Sequence, residues 1–134
     1  MGFYHHFSQK KNDFRAYPIL PDKNEDGKHR IEGIGDSFIP KIGDLQALSP
    51  ILRVKYSDAI NIARQINKLG LSVGISSGAN VFGAILKASE LSDGHRVATI
   101  LCDDNKKYLT TDLCNNSEEL CSMDIKILDY ELFS

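Results

Sequence analysis

The chain is 134 residues long, 42% hydrophobic and 25% charged, with a formal net charge of −2. Those values describe one small globular domain or part of a larger one, and they exclude a general nucleic-acid binder, which needs a basic face against phosphates. No apolar run is long enough to span a bilayer, and no leader-like apolar core follows Met1, so neither membrane insertion nor secretion is expected.

Residues 2–10 predict a short helix with Phe3, His6 and Phe7 on one side and no N-cap. Adjacent His5 and His6 do not face one site on a helix and no partner motif follows, so no metal site is expected. Residues 15–20 predict a strand ended by Pro21 and a charged loop over 22–28. Residues 31–40 are glycine-punctuated and irregular. Ser57 is the expected N-cap of a helix over 58–68, with Asp58 complementing its dipole. Ala59, Ile62, Ala63 and Ile66 form its apolar stripe, and Gly70 ends it.

A strand is expected over 71–75, a helix over 79–91, and a continuous apolar strand, RVATILC, over 96–102, buried on both faces. The tail holds one weak apolar stretch, 125–128. The pairs Lys10-Lys11 and Lys106-Lys107 are too short for a phosphate track and read as solvated surface. Three cysteines, Cys102, Cys114 and Cys121, form no CxxC pair, which favours reduced thiols and a cytoplasmic location. The alternation of helices and strands predicts an α/β layer with a mostly parallel sheet.

The most informative segment is Val73-Gly74-Ile75-Ser76-Ser77-Gly78-Ala79-Asn80. An apolar run stops at small polar residues and a helical pattern starts, with Val81, Ala84, Ile85 and Ala88 at helical spacing. A helix N-terminus carries free N–H groups and a positive dipole end, so it suits an anionic or polar group. It is no Walker loop, because no Gly-Lys-Ser/Thr follows. In parallel sheets ligands bind beyond the carboxyl ends of strands, and this turn and the loop Asp103-Asp104-Asn105 both take that position.

Three segments carry a resemblance. Residues 29–40, HRIEGIGDSFIP, are similar to the K-I-x-G-I-G-A-G-F-I-P loop of the cysteine synthase family of pyridoxal-phosphate enzymes, the fold-type II group that includes cystathionine β-synthase. Residues 73–80 resemble its V-G-I-S-S-G-A turn, and residues 99–111, TILCDDNKKYLTT, its T-I-L-P-D-S-G-E-R-Y-L-S-T segment. All three keep the family's order and spacing. The resemblance implies a three-layer α/β fold with mostly parallel strands. It assigns residues 1–113 to the catalytic fold and 114–134 to a tail.

The resemblance also implies pyridoxal 5'-phosphate as cofactor, a small amino-acid substrate and a homodimer. The reaction implied is β-replacement, in which a leaving group departs Cβ of an amino acid and a nucleophile, usually sulfide, adds. The family's Schiff-base lysine, its asparagine for the ring hydroxyl and its Gly-Thr-Gly-Gly-Thr phosphate loop have no match here. The expectation that follows is the C-terminal part of a longer enzyme, inactive and poorly soluble alone.

Position by position, Asp104 stands where the family has a serine on the pyridine nitrogen, and a carboxylate there would favour a protonated ring. Gly33 and Gly35 match glycines that let backbone approach the cofactor, although glycine also serves a plain tight turn. Asp36 replaces the loop's usual alanine and is a candidate base on an incoming thiol or water. Asp36 and Asp104 therefore favour an alternative within the chemistry, a cysteine or serine β-lyase or a cystathionine- or lanthionine-forming enzyme. Ser76, Ser77 and Gly78 are expected to support the crevice, Tyr108 to pack beside the cofactor loop, and Cys102 to be a buried thiol. A reading of another class is a non-catalytic module that binds a partner.

Overall fold

The computed structural model describes residues 18–22, 31, 50–115, 124–128 and 131. The helix expected over 2–10 lies outside them. Strand β1 (Ile19–Pro21) pairs in parallel with β2 (Leu52–Val54), in the register Ile19 to Leu52, Leu20 to Arg53 and Pro21 to Val54. Pro21 was expected to end its strand but lies inside it. The ladder draws on Pro18 O, which accepts from Leu52 N at 2.9 Å, and on Asp22 N, which donates to Val54 O at 2.9 Å. Alternation then turns the Pro21 nitrogen away from β2, where a missing N–H costs no ladder bond.

Helix α1 spans Tyr56–Lys68. Its N-cap is Lys55 rather than Ser57, and no side chain caps it. The expected stripe holds: Ala59, Ile62 and Ala63 are fully buried and Ile66 nearly so. Asp58 does lie in the first turn, and it is buried. At the other end Gly70 adopts φ +95°, Leu71 N donates to Ile66 O and Gly70 N to Asn67 O. This pair of bonds is the Schellman arrangement, and Leu71 packs back on the core beside it. Gly70→Ala should cost about 1 kcal/mol, because the strain of a Cβ at positive φ is the whole effect: nothing lies within 4 Å of it. A urea melt measures it.

Helix α2 spans Ile75–Glu90, four residues ahead of the expected start. The expected strand over 71–75 forms no ladder among the described residues. Asn67 replaces it: its side-chain amide donates to Val73 O and accepts from Val73 N, each at 2.9 Å. A helix side chain thus does for Val73 what a neighbouring strand would do. Helices α1 and α2 pack directly together, with Gly78 in tight contact with Ala59 and Ala63. A Cβ there would collide with the Ala59 carbonyl and stand 2.9 Å from the Ala63 Cβ.

The buried core runs from Val54 through Ile60, Ile62, Val73, Ile75 and Phe82 to Tyr108 and Leu113. Polar side chains on the other faces of α1 tie down later segments. Arg64 donates to the carbonyls of Asp112, Leu113 and Asn115. Gln65 donates to Ile125 O at 2.9 Å and accepts from Ile127 N at 2.7 Å, so the tail's apolar stretch docks on this helix. Its last residue, Leu128, stays exposed.

Residues 96–102 depart most from expectation. They form no ladder among the described residues, and Ile100 is 70% exposed and Leu101 47%. Asn80 holds the segment, donating to Ile100 O at 3.0 Å and accepting from the Thr99 hydroxyl at 3.3 Å. No described strand lies against it to cover either face. Among the described residues no helix is long and apolar enough to cross a membrane.

Candidate functional site

The turn into α2 brings Gly74, Ser76, Ser77, Asp103 and Tyr108 together. Gly74 is the N-cap residue, no side chain of the turn caps the helix, and the first turn contains no acidic residue. The missing carboxylate comes from Asp103, far along the chain. Its Oδ1 accepts from Ser77 N at 2.9 Å and its Oδ2 from Ser76 N at 3.3 Å. The Ser77 hydroxyl donates to Oδ1 and accepts from Asp103 N at 3.2 Å. Gly74 N donates to Asp103 O at 3.2 Å, and the Tyr108 hydroxyl donates to Oδ2 at 2.9 Å. Ser77 is fully buried and Tyr108 is 3% exposed.

An internal carboxylate therefore occupies the anion position of this helix N-terminus. Burial alone would raise the Asp103 carboxyl. The hydrogen bonds from Ser77, Tyr108 and Ser76 outweigh it and hold the group below the usual carboxylate range. A carboxyl depressed in the folded state stabilises the fold above its unfolded pKa, and that stability is lost as pH falls through the folded one.

Asp104, next in sequence, faces away from this cluster. Its Oδ1 accepts from Lys106 N at 2.8 Å, capping the short 3-10 helix Asn105–Tyr108. Its Oδ2 stands 3.9 Å from the Lys106 ammonium, and its side chain is 47% exposed. A surface pair at that distance contributes little to stability. Asn105 ties the loop to α1 and the turn: it donates to Asn67 Oδ1 at 3.2 Å and accepts from the Ser72 hydroxyl at 2.8 Å.

The turn and the loop, expected to flank one crevice, are in direct contact. Tyr108 does pack beside the loop. Cys102, expected to be buried, is exposed, because the segment that carries it is uncovered. Gly33, Gly35 and Asp36 lie outside the described residues. Sequence reasoning passed over Asp103 as a loop residue. The one trace of it in the sequence was a helix start with no acidic residue in its first turn.

No family model matches the chain. It is 47% identical over 96 residues to cysteine synthase B of Campylobacter jejuni, covering 72% of this chain and 31% of that protein. It is 37% identical over 99 residues to a cysteine synthase of Staphylococcus aureus, covering 73% of this chain and 32% of that one. The chain belongs to the cysteine synthase family. It spans about a third of the length of these curated relatives. Among solved structures it resembles a hydrogen sulfide-producing enzyme from Fusobacterium nucleatum, with a TM-score of 0.79 and 37% identity over 90% of this chain and 38% of that one.

Cysteine synthase-family enzymes depend on pyridoxal phosphate and act on amino acids. The α/β fold with parallel strand pairing is theirs. The capped turn of Gly74–Gly78 gives a physical reason why a cysteine synthase-type chain uses small residues there: Gly74 leaves room for the Asp103 carboxylate and the Tyr108 ring, both of which a Cβ would strike.

Proposed function

We propose that this chain supplies part of the cofactor site of a pyridoxal-phosphate β-replacement enzyme that makes cysteine from O-acetylserine and sulfide. The observation that carries the reading is the 47% identity over 96 residues to a cysteine synthase. The cofactor supplies an electron sink, and the protein orients groups around it.

Among the described residues Asp104 fits such a group. Its half-exposed carboxylate has no strong cationic partner and can accept a hydrogen bond from a protonated pyridine nitrogen. The α2 N-terminus does not fit the phosphate, since the Asp103 carboxylate already fills it. Gly33 and Gly35 are assigned to backbone contact with cofactor and substrate. Asp36 is assigned as a base that takes a proton from the incoming thiol or water. The whole enzyme is assigned as a cytoplasmic homodimer, and this chain by itself as inactive.

A second reading, sulfide release from cysteine, has one observation in its favour: the likeness to the hydrogen sulfide-producing enzyme at 37% identity. One experiment separates the two. The matching 96 residues of the Campylobacter jejuni enzyme are replaced by those of this chain. Cysteine formation from O-acetylserine and sulfide supports the synthase. Sulfide release from cysteine alone, lowered about 100-fold or more by Asp36→Ala, supports the lyase. A folded chimaera with neither pyridoxal-phosphate-dependent activity overturns both.

A further inference from the structure

Asp104 makes few contacts of its own, yet it is held from both sides. On the N-terminal side Asp103 is fixed to the first turn of α2 through its N–H, its carbonyl and both carboxylate oxygens. On the C-terminal side the chain returns through one turn of 3-10 helix to buried Tyr108, whose hydroxyl ends on the same carboxylate at 2.9 Å. Residues 104–107 thus form a small loop closed at both ends on one ionised group. The loop's internal tie is the Lys106 N–H on Asp104 at 2.8 Å. Gly74 is the third part of this device, because any Cβ there would displace the Asp103 carboxylate and the Tyr108 ring together.

From this geometry we infer that Asp103 and Tyr108 are positioning residues that hold the Asp104 carboxylate at one place and direction. The inference rests on the reading of Asp104 as the cofactor-facing group. Neither residue touches the ligand. The Asp103 carboxylate spends its hydrogen bonds on Ser76, Ser77 and Tyr108, and the Tyr108 ring is in the core. Their effect passes through the loop backbone alone.

Amide exchange followed by NMR on the full chain tests it, and pyridoxal phosphate added to the chimaera described above probes the cofactor reading on which it rests. Tyr108→Phe keeps the buried ring and removes one hydroxyl. Its Tm should move by a few degrees, while the Lys106 amide exchanges about five- to tenfold faster and the Lys87 amide, at the far end of α2, is unchanged. The cofactor-induced shifts at 104–107 should weaken when the same substitution is made in the chimaera. Asp103→Asn, the same shape without the charge, gives a second readout if Tyr108→Phe loses its fold. Equal Lys106 exchange in wild type and both variants overturns the positioning role. In the Campylobacter jejuni chimaera, which keeps the rest of the cofactor site, pyridoxal phosphate that moves none of the 104–107 amides overturns the cofactor reading of Asp104, a result separate from the exchange rates.

Discussion

Gly78→Ala should destabilise this chain by about 2 kcal/mol or more, although the same change inside an exposed helix gains about 1 kcal/mol. The reversal follows from what the new methyl would meet. The Ala59 carbonyl is helix backbone near the start of α1, and the Ala63 Cβ beside it belongs to a fully buried residue. Neither can swing aside, so the two helices must separate and open their shared core. Thermal and urea unfolding measure the change. A Gly78→Ala variant as stable as the wild type would show that α1 and α2 do not pack at this distance.

The second large effect is at Asp103. Asp103→Ala should cost about 3 kcal/mol, a sizeable share of the total stability of a small domain. The substitution leaves the Ser76 and Ser77 N–H groups and the Tyr108 hydroxyl without their acceptor, two of them on residues at most 3% exposed. It also removes the negative charge from the positive end of α2. Asp103→Asn should lose less, since its amide oxygen can still accept from one side. Calorimetry at neutral pH should rank them wild type, Asp103→Asn, Asp103→Ala. The gap between wild type and Asp103→Ala should begin to narrow as pH falls through about 4, where the carboxyl of the unfolded chain takes up its proton, and should close only below the lower pH at which the folded carboxyl does so. A gap that persists unchanged at pH 2 would assign the loss to packing and not to the charge.

Helices and their stops were legible because they depend on neighbours in sequence. The stripe at Ala59, Ile62, Ala63 and Ile66 and the stop at Gly70 needed only 3.6-residue periodicity and the left-handed tolerance of glycine. The strands were less legible. Val73 sits in extended backbone whose ladder partner is the Asn67 side chain, a substitute that no propensity signals. Residues 96–102 have the composition of a central strand, yet composition cannot say whether a neighbour is there to cover them. Their exposed side chains, Val97, Ile100 and Leu101, favour self-association in isolation.

The candidate site divides along the same line. Asp104 was identified from the family's motif, since its own contacts, one N–H and a distant ammonium, would not single it out. Asp103 was missed for the opposite reason. Its partners lie 26 residues away at Ser77, and only folding reveals that the helix start has borrowed its cap. The small residues of the turn first suggested a cradle for an outside anion. They instead admit a carboxylate of the chain, and they leave the next residue, Asp104, facing outward.

The most direct test of that account is a carbon-13 NMR titration of the Asp103 carboxyl in the intact chain. The carboxyl should titrate below the usual carboxylate range, with the Ser76 and Ser77 amide resonances moving at the same pH. Titration at or above the ordinary range, with those amides unmoved, would contradict it and return the helix N-terminus to the list of places where a ligand anion binds.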